Sequence, residues 1–125
     1  MLKEGMEFTI EKTVEPIEAA CQIGSGGLEV FATPHMIALM ERTAYRAVQS
    51  ELPEGETTVG TEVNIKHLKA TAIGKGVKCT AKLVKVDGRK LDFEVVVFEG
   101  EDKIGEGTHQ RFIVNSEKFM ARLAK

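Results

Sequence analysis

Cysteine is scarce: Cys21 and Cys79 are the two in the 125-residue chain, too few and too far apart for a disulfide scaffold or a thiolate metal site. Histidine is scarce too, and His35, His67 and His109 show no paired spacing that would hold a metal. A surplus of one charge is missing, since 17 Lys and Arg stand against 19 Asp and Glu for a net charge of −2. Nothing there neutralises a phosphate backbone, so nucleic acid is excluded as the expected partner; a local basic rim around one anionic ligand stays open. No apolar run approaches the roughly 20 residues of a membrane-spanning helix. The stretch Met1–Gly5 lacks the apolar segment of a secretion signal, and a soluble, cytoplasmic chain is the expectation. Repeats, low-complexity tracts and linkers are absent as well. With 42% hydrophobic and 29% charged residues, disorder and coiled coil are poor fits. One domain over residues 1–125 is expected, because division would leave each half without a sufficient core.

What is present reads as one helix among strands. Met6, Phe8 and Ile10 alternate with Glu7, Thr9 and Glu11, the pattern of a half-buried strand. Pro16 and the run Gly24-Ser25-Gly26-Gly27 mark irregular backbone between Val14 and Gly27. Thr33 is a good N-cap and Pro34 suits a first helical position. Ile37, Met40, Ala44 and Val48 follow at helical spacing until Pro53 and Gly55, which predicts a helix from about Pro34 to Leu52. Strands are expected over Val59–His67, with Val59, Val63, Ile65 and His67 on one face, then over Val77–Leu83, Leu91–Val97 and Ile104–Val114. Asp87-Gly88 and Glu99–Asp102 supply the turns. Asn115 or Ser116 caps a short last helix through Leu123. Consecutive hairpins make the sheet antiparallel, and the helix must bury its stripe against it. This α+β layout, an antiparallel sheet wrapped around one long central helix, is the one called a hotdog fold.

Two side chains break the pattern. Glu41 falls about 40° from Ile37 at ~100° per residue, on the side of the helix that carries the apolar stripe. A carboxylate there must be paired, must reach water at the stripe's edge, or must face a cavity. His67 ends a strand face that is otherwise apolar. Alone it reads as a hydrogen-bonded core histidine; with an inward carboxylate on a packed element, the two make a candidate acid/base pair. Thr33 needs no purpose beyond capping, yet a helix N-terminus also offers free N–H groups to a developing oxyanion. His109 and Arg111 share a face of the last strand, where a solvated face and an anion- or carbonyl-binding role explain them equally. His35 is expected to face solvent. The glycine run lacks the preceding strand and the lysine of a phosphate loop.

The same residues carry a family resemblance. Val30-Phe31-Ala32-Thr33-Pro34 with Glu41 beyond it, the stretch Val59 to Thr71, Val86-Asp87-Gly88-Arg89-Lys90-Leu91, Ile104 to Arg111 and Lys118-Phe119 together resemble the thioesterase family of the fluoroacetyl-CoA thioesterase. The resemblance implies a hotdog homodimer that hydrolyses short acyl-CoA thioesters. It implies Thr33, Glu41 and His67 as the catalytic threonine, glutamate and histidine, Gly60 lining the acyl pocket and Arg111 assisting. One departure lies upstream: the fluoroacetyl-specific member has phenylalanines in a lid where this chain has Gly24-Ser25-Gly26-Gly27. Aromatic side chains there shape a small dry pocket and glycines do not, which leaves the acyl group open.

Two other functions compete with hydrolysis. The same fold, with a buried acid and a histidine, serves acyl-thioester hydratases and dehydratases, and a non-catalytic acyl-CoA-binding module would also need only a lined pocket. No metal or prosthetic group is implied, and CoA enters only as part of the substrate. Lys66, Lys69 and Lys75 flank the end of the His67 strand and are candidates for its phosphates, against the alternative of an ordinary solvated strand end. One helix under one sheet leaves little room for a deep pocket in 125 residues, so the site is expected between two protomers of a homodimer.

Overall fold

The structure is a computed structural model that describes residues 1–124. Strand β1 (Glu7–Thr13) is followed by a 3-10 turn (Pro16–Glu18), a one-turn helix α1 (Ala20–Ile23) and the long helix α2 (Thr33–Gln49). Strands β2 (Glu56–His67), β3 (Gly76–Asp87), β4 (Lys90–Glu99) and β5 (Asp102–Asn115) come next, and α3 (Ser116–Leu123) ends the chain. The five strands form one antiparallel sheet in the order β1-β3-β4-β5-β2, which leaves β1 and β2 as its edges. The sheet curls around α2 as the hotdog layout requires.

Alternation along the central strands builds the wall of the core. Val77, Cys79, Ala81 and Leu83 of β3 and Leu91, Phe93, Val95 and Val97 of β4 are buried against the helix. From α2 come Met36, Leu39, Met40, Ala44, Ala47 and Val48. The buried stripe is therefore turned from the expected one: Met36, Leu39 and Thr43 belong to it, while Ile37 lies half-buried at its edge. Thr43 is accommodated because its hydroxyl donates to the Leu39 carbonyl at 2.7 Å, the usual back-bond of a helical threonine.

The turns follow glycine. Asp87 pairs with Lys90, so the loop residues are Gly88 and Arg89, one position later than Asp87-Gly88. Gly88 takes φ +62°, open to glycine at little cost, and Arg89 stays at negative φ, which suits a type II′ hairpin. At the C-terminus Asn115 is the cap, its side chain accepting from the Lys118 N–H at 3.0 Å.

Strand β2 departs from the expected face pattern. Its pairing with β5 shifts between Gly60 and Glu62, leaving Thr61 as the extra residue of a bulge. Because side chains alternate with a period of two, the bulge exchanges the faces on either side of it. Val63, Ile65 and His67 do share the inner face, opposite His109, Gly107 and Gly105. Val59 does not; it pairs with the exposed Phe112 on the outer face, and Thr58 and Gly60 take the inner positions opposite Ile113 and Arg111.

Candidate active site

Thr33 is the first residue of α2 rather than its cap. Ala32 holds the capping position, and no side chain caps the helix. The threonine hydroxyl is thereby free for another partner, and it meets the Nδ1 of His67 at 2.7 Å. Backbone bonds brace this corner: Ala32 N–H donates to the Glu18 carbonyl at 2.9 Å and Phe31 N–H to the Thr71 carbonyl at 2.8 Å. Glu18 is itself buried and held by the Lys12 ammonium and the Glu15 N–H. Burial pushes its carboxyl up, and the Glu15 amide and Lys12 more than reverse that, so it stays ionised.

The first turn of α2 offers one free amide. Pro34 has no N–H, and the N–H groups of His35 and Met36 both go to the Ala32 carbonyl at 3.0 Å. Among the described residues the Thr33 N–H has no partner, which makes it the donor a substrate oxygen would meet there. His67 Nε2 is buried and also unpartnered. Desolvation holds the His67 pKa below the ordinary imidazole value, outweighing the opposite influence of the nearby Lys69 backbone, so the ring is a neutral base at neutral pH. A cavity of about 290 Å³ opens on this pair, lined also by Ala20, Ser25, Phe31 and Leu68. Ser25 in that wall belongs to the glycine run, which folds back through Ala20 N–H to the Val30 carbonyl at 2.8 Å.

Glu41 lies elsewhere in the same protomer. Eight residues of helix separate it from Thr33, about 12 Å along the axis at 1.5 Å per residue. It sits half-buried at the edge of the stripe, facing the middle of β2 and β5. A side chain on Gly60 would place its Cβ 3.0 Å from Glu41 Oε2, 3.2 Å from the His109 ring and 3.4 Å from an Arg111 guanidinium nitrogen. Gly60 thus borders Glu41 closely, and even a methyl there would require the neighbouring side chains to give by a few tenths of an ångström.

His109 and Arg111 face inward and are buried, which settles the choice left open for that strand face. Arg111 Nε donates to Thr58 Oγ1 at 2.7 Å and Nη2 to the Thr58 carbonyl at 3.0 Å. Its guanidinium also lies 5.7 Å from the centre of the Tyr45 ring, which projects from α2. Thr58 and Tyr45 were not singled out on sequence, and His109 was weighed only beside Arg111, without a role of its own. For His109 the signal was there: alternation that turns Arg111 inward turns the residue two before it inward as well.

The structure therefore gathers the candidates into two groups, Thr33 with His67 and Glu41 with Gly60 and Arg111. Lys69 lines the cavity beside His67 and pairs with Asp102 at 3.1 Å. Lys66 points the other way, into a groove on the outer face of the sheet with Lys82, Glu94 and Glu106. No helix among the described residues is long and apolar enough to cross a membrane, and no cluster of His, Cys, Asp and Glu among them is arranged to hold a metal.

Comparison with known proteins decides the family. A family model for the fluoroacetyl-CoA-specific thioesterase matches residues 14–117. The chain belongs to that family. The fluoroacetyl-CoA thioesterase of Streptantibioticus cattleyicolor is 43% identical over 95 residues, 76% of this chain and 68% of that protein. A phenylalanine-to-alanine variant of the fluoroacetyl-CoA-specific thioesterase, solved in complex with fluoroacetate and CoA, matches with a TM-score of 0.90 at 36% identity, covering 94% of this chain and 99% of that one. A thioesterase superfamily member from Thermus thermophilus matches with a TM-score of 0.91 at 28% identity over 99% of this chain and 92% of its own. These structures thus share the overall fold of this chain.

Proposed function

We propose that this protein hydrolyses short acyl-CoA thioesters to the free acid and CoA, with Thr33, Glu41 and His67 as its catalytic groups. The observation that carries the reading is the Thr33–His67 hydrogen bond of 2.7 Å at the mouth of a cavity, a hydroxyl set against a neutral imidazole. A thioester carbonyl is electrophilic and its thiolate leaves readily, so modest assistance is enough. Where Glu41 activates water, the proton it takes passes through His67 to the departing sulfur. Where Glu41 attacks, the thiolate leaves as an acyl–Glu41 anhydride forms, and His67 takes the proton of the water that then hydrolyses it. The Thr33 N–H supports the carbonyl oxygen as it gains charge. Glu41 supplies the carboxylate that attacks or activates water, Gly60 leaves room beside it, and Arg111 supplies positive charge nearby. Lys69 meets the CoA end of the substrate at the cavity mouth.

A single protomer keeps Glu41 about 12 Å along α2 from Thr33, and a homodimer resolves the separation. β2 is an edge strand with unpaired backbone groups and with Val63 exposed on its inner face. Two such edges, paired antiparallel about the strand's middle, lay the His67 end of one beside the Thr58–Gly60 end of its partner. Thr33 and His67 of one protomer then face the partner's Glu41.

The test uses a thiol-release assay over a series of acyl-CoAs. Glu41→Ala and His67→Ala should each abolish release. Mixing the two inactive variants after subunit exchange should restore about a quarter of the wild-type rate, because half of the dimers are mixed and one of their two sites is intact. No thiol release by the wild type, with a change in enoyl absorbance instead, would make the chain a hydratase.

A further inference from the structure

Arg111 is a buried guanidinium beside a carboxylate, yet the two form no ion pair. Glu41 Oε2 and Arg111 Nη1 both press on the place where a Gly60 side chain would sit, from 3.0 and 3.4 Å. One of the two N–H groups of Nη1 is directed to another partner: it donates to His109 Nε2 at 3.1 Å, a contact that anchors the guanidinium on the side away from the carboxylate's reach. To accept there, the imidazole must be neutral with its proton on Nδ1. Nδ1 has a matching acceptor, the Glu62 carbonyl at 2.8 Å. Both ring bonds thus demand the same tautomer. A second proton on the ring would set an N–H against the guanidinium with no acceptor between them. The ring is 3% exposed and stacks near Phe93, with centroids 6.2 Å apart, so it has no alternative position in water.

We infer that His109 is a positioning residue, a neutral Nδ1–H imidazole that fastens Arg111 to the β2 bulge and so keeps Glu41 unpaired. The consequence for the thioester rests on the role of Glu41 proposed above. A carboxylate locked to Arg111 would have its lone pairs engaged, whereas one held off the guanidinium keeps them free for the substrate. The titratable groups that face Glu41 are Tyr45 on its own helix and His109 and Arg111 on β5; β2 presents Thr58 and Gly60, which carry no charge. In the proposed dimer the partner's His67 joins them.

The experiment reads the residues directly as well as the rate. Nitrogen NMR of the wild type should show His109 as the neutral Nδ1–H tautomer at pH 7; an Nε2–H tautomer would overturn the inference whatever the enzyme's activity. Carbon NMR should show the Glu41 carboxyl resonance displaced in His109→Ala, as Arg111 closes on it. In the same variant kcat should fall about tenfold or more with KM little changed. His109→Gln keeps an oxygen that can accept from Arg111 and should restore most of the rate. His109→Asn is too short to reach Arg111 and should not. Equal behaviour of Gln and Asn, or an unmoved Glu41 carboxyl resonance in His109→Ala, would refute the positioning role. A wild type that releases no thiol while the NMR results hold would instead remove the thioesterase reading and leave the Arg111 contact standing.

Discussion

Gly60→Ala separates the demands of the fold from those of the site. The backbone there is at ordinary negative φ, so alanine introduces no strain. Replacing glycine in a strand by alanine restricts the unfolded chain and should stabilise by about 0.4–1 kcal/mol. The new methyl, however, meets Glu41 Oε2 at 3.0 Å and the His109 ring at 3.2 Å. Ordinary contact begins near 3.4 Å, so the carboxylate must retreat by several tenths of an ångström. His109 is buried and bonded at both nitrogens and Arg111 at three, which leaves Glu41 as the group that moves. Displacements of order 1 Å at reacting groups cost up to about a hundredfold in rate. A tenfold to hundredfold loss of kcat is expected, about 1.4–2.7 kcal/mol of barrier, together with an unchanged or slightly raised urea midpoint. The assay is thiol release at saturating acyl-CoA beside a denaturation curve. Full activity in a folded Gly60→Ala protein would refute the placement of Glu41 against Gly60; a collapse in stability would refute the claim that the glycine serves the site rather than the strand.

Three further outcomes follow from the geometry. Ser25→Phe puts a ring into the wall of the 290 Å³ cavity, and activity on longer acyl-CoAs should fall about 10-fold or more relative to acetyl-CoA; an unchanged chain-length profile would detach that cavity from the acyl group. Cys21 is exposed, whereas Cys79 is buried with its thiol pushed up to about 11 by desolvation, so an aromatic disulfide reagent at pH 8 should titrate one thiol in the native chain and two after unfolding. Two reactive thiols in the native state would contradict the packing of Cys79. His67 and His109 both have pKa values depressed first by burial, so below about pH 6.5 the unfolded chain takes up protons that the folded one declines. Their stabilisation is complete above that pH and is lost on acidification, and the urea midpoint should drop from pH 7 to pH 5.5. A rising midpoint would refute the sign.

Much of this was legible in the chain. Period-two alternation placed the four strands after the helix, and helical spacing between Pro34 and Pro53 placed α2. Glu41 and His67 stood out because each broke an apolar face, and their spacing with Thr33 carried the family resemblance. Three features were hidden. Thr33 looked like a cap because the residue type suits one, but Ala32 has the extended backbone that ends the helix, so the hydroxyl goes to His67. The true stripe of α2 includes Met36, Leu39 and Thr43, whose burial depends on how the helix rolls against β3, and spacing alone does not set the roll. The distance between Thr33 and Glu41 was readable in principle from the helical rise, yet its meaning needs the sheet edge that β2 presents. Nothing in composition says that β2 lies outermost, since strand order is a long-range property of the whole sheet.

The extra residue in β2 has one more consequence. Thr61 divides the strand into two halves read in different frames: ahead of it the even-numbered residues Thr58 and Gly60 face the helix, and behind it the odd-numbered Val63, Ile65 and His67 do. Any substitution at Thr61 alters one outward side chain, but removing the residue would slide one half onto the other's frame. Either Gly60 and Thr58 would leave Glu41 and Arg111 for solvent, or His67 would leave Thr33. Position 61 should therefore accept nearly every amino acid and no deletion, because its contribution is a count rather than a chemistry.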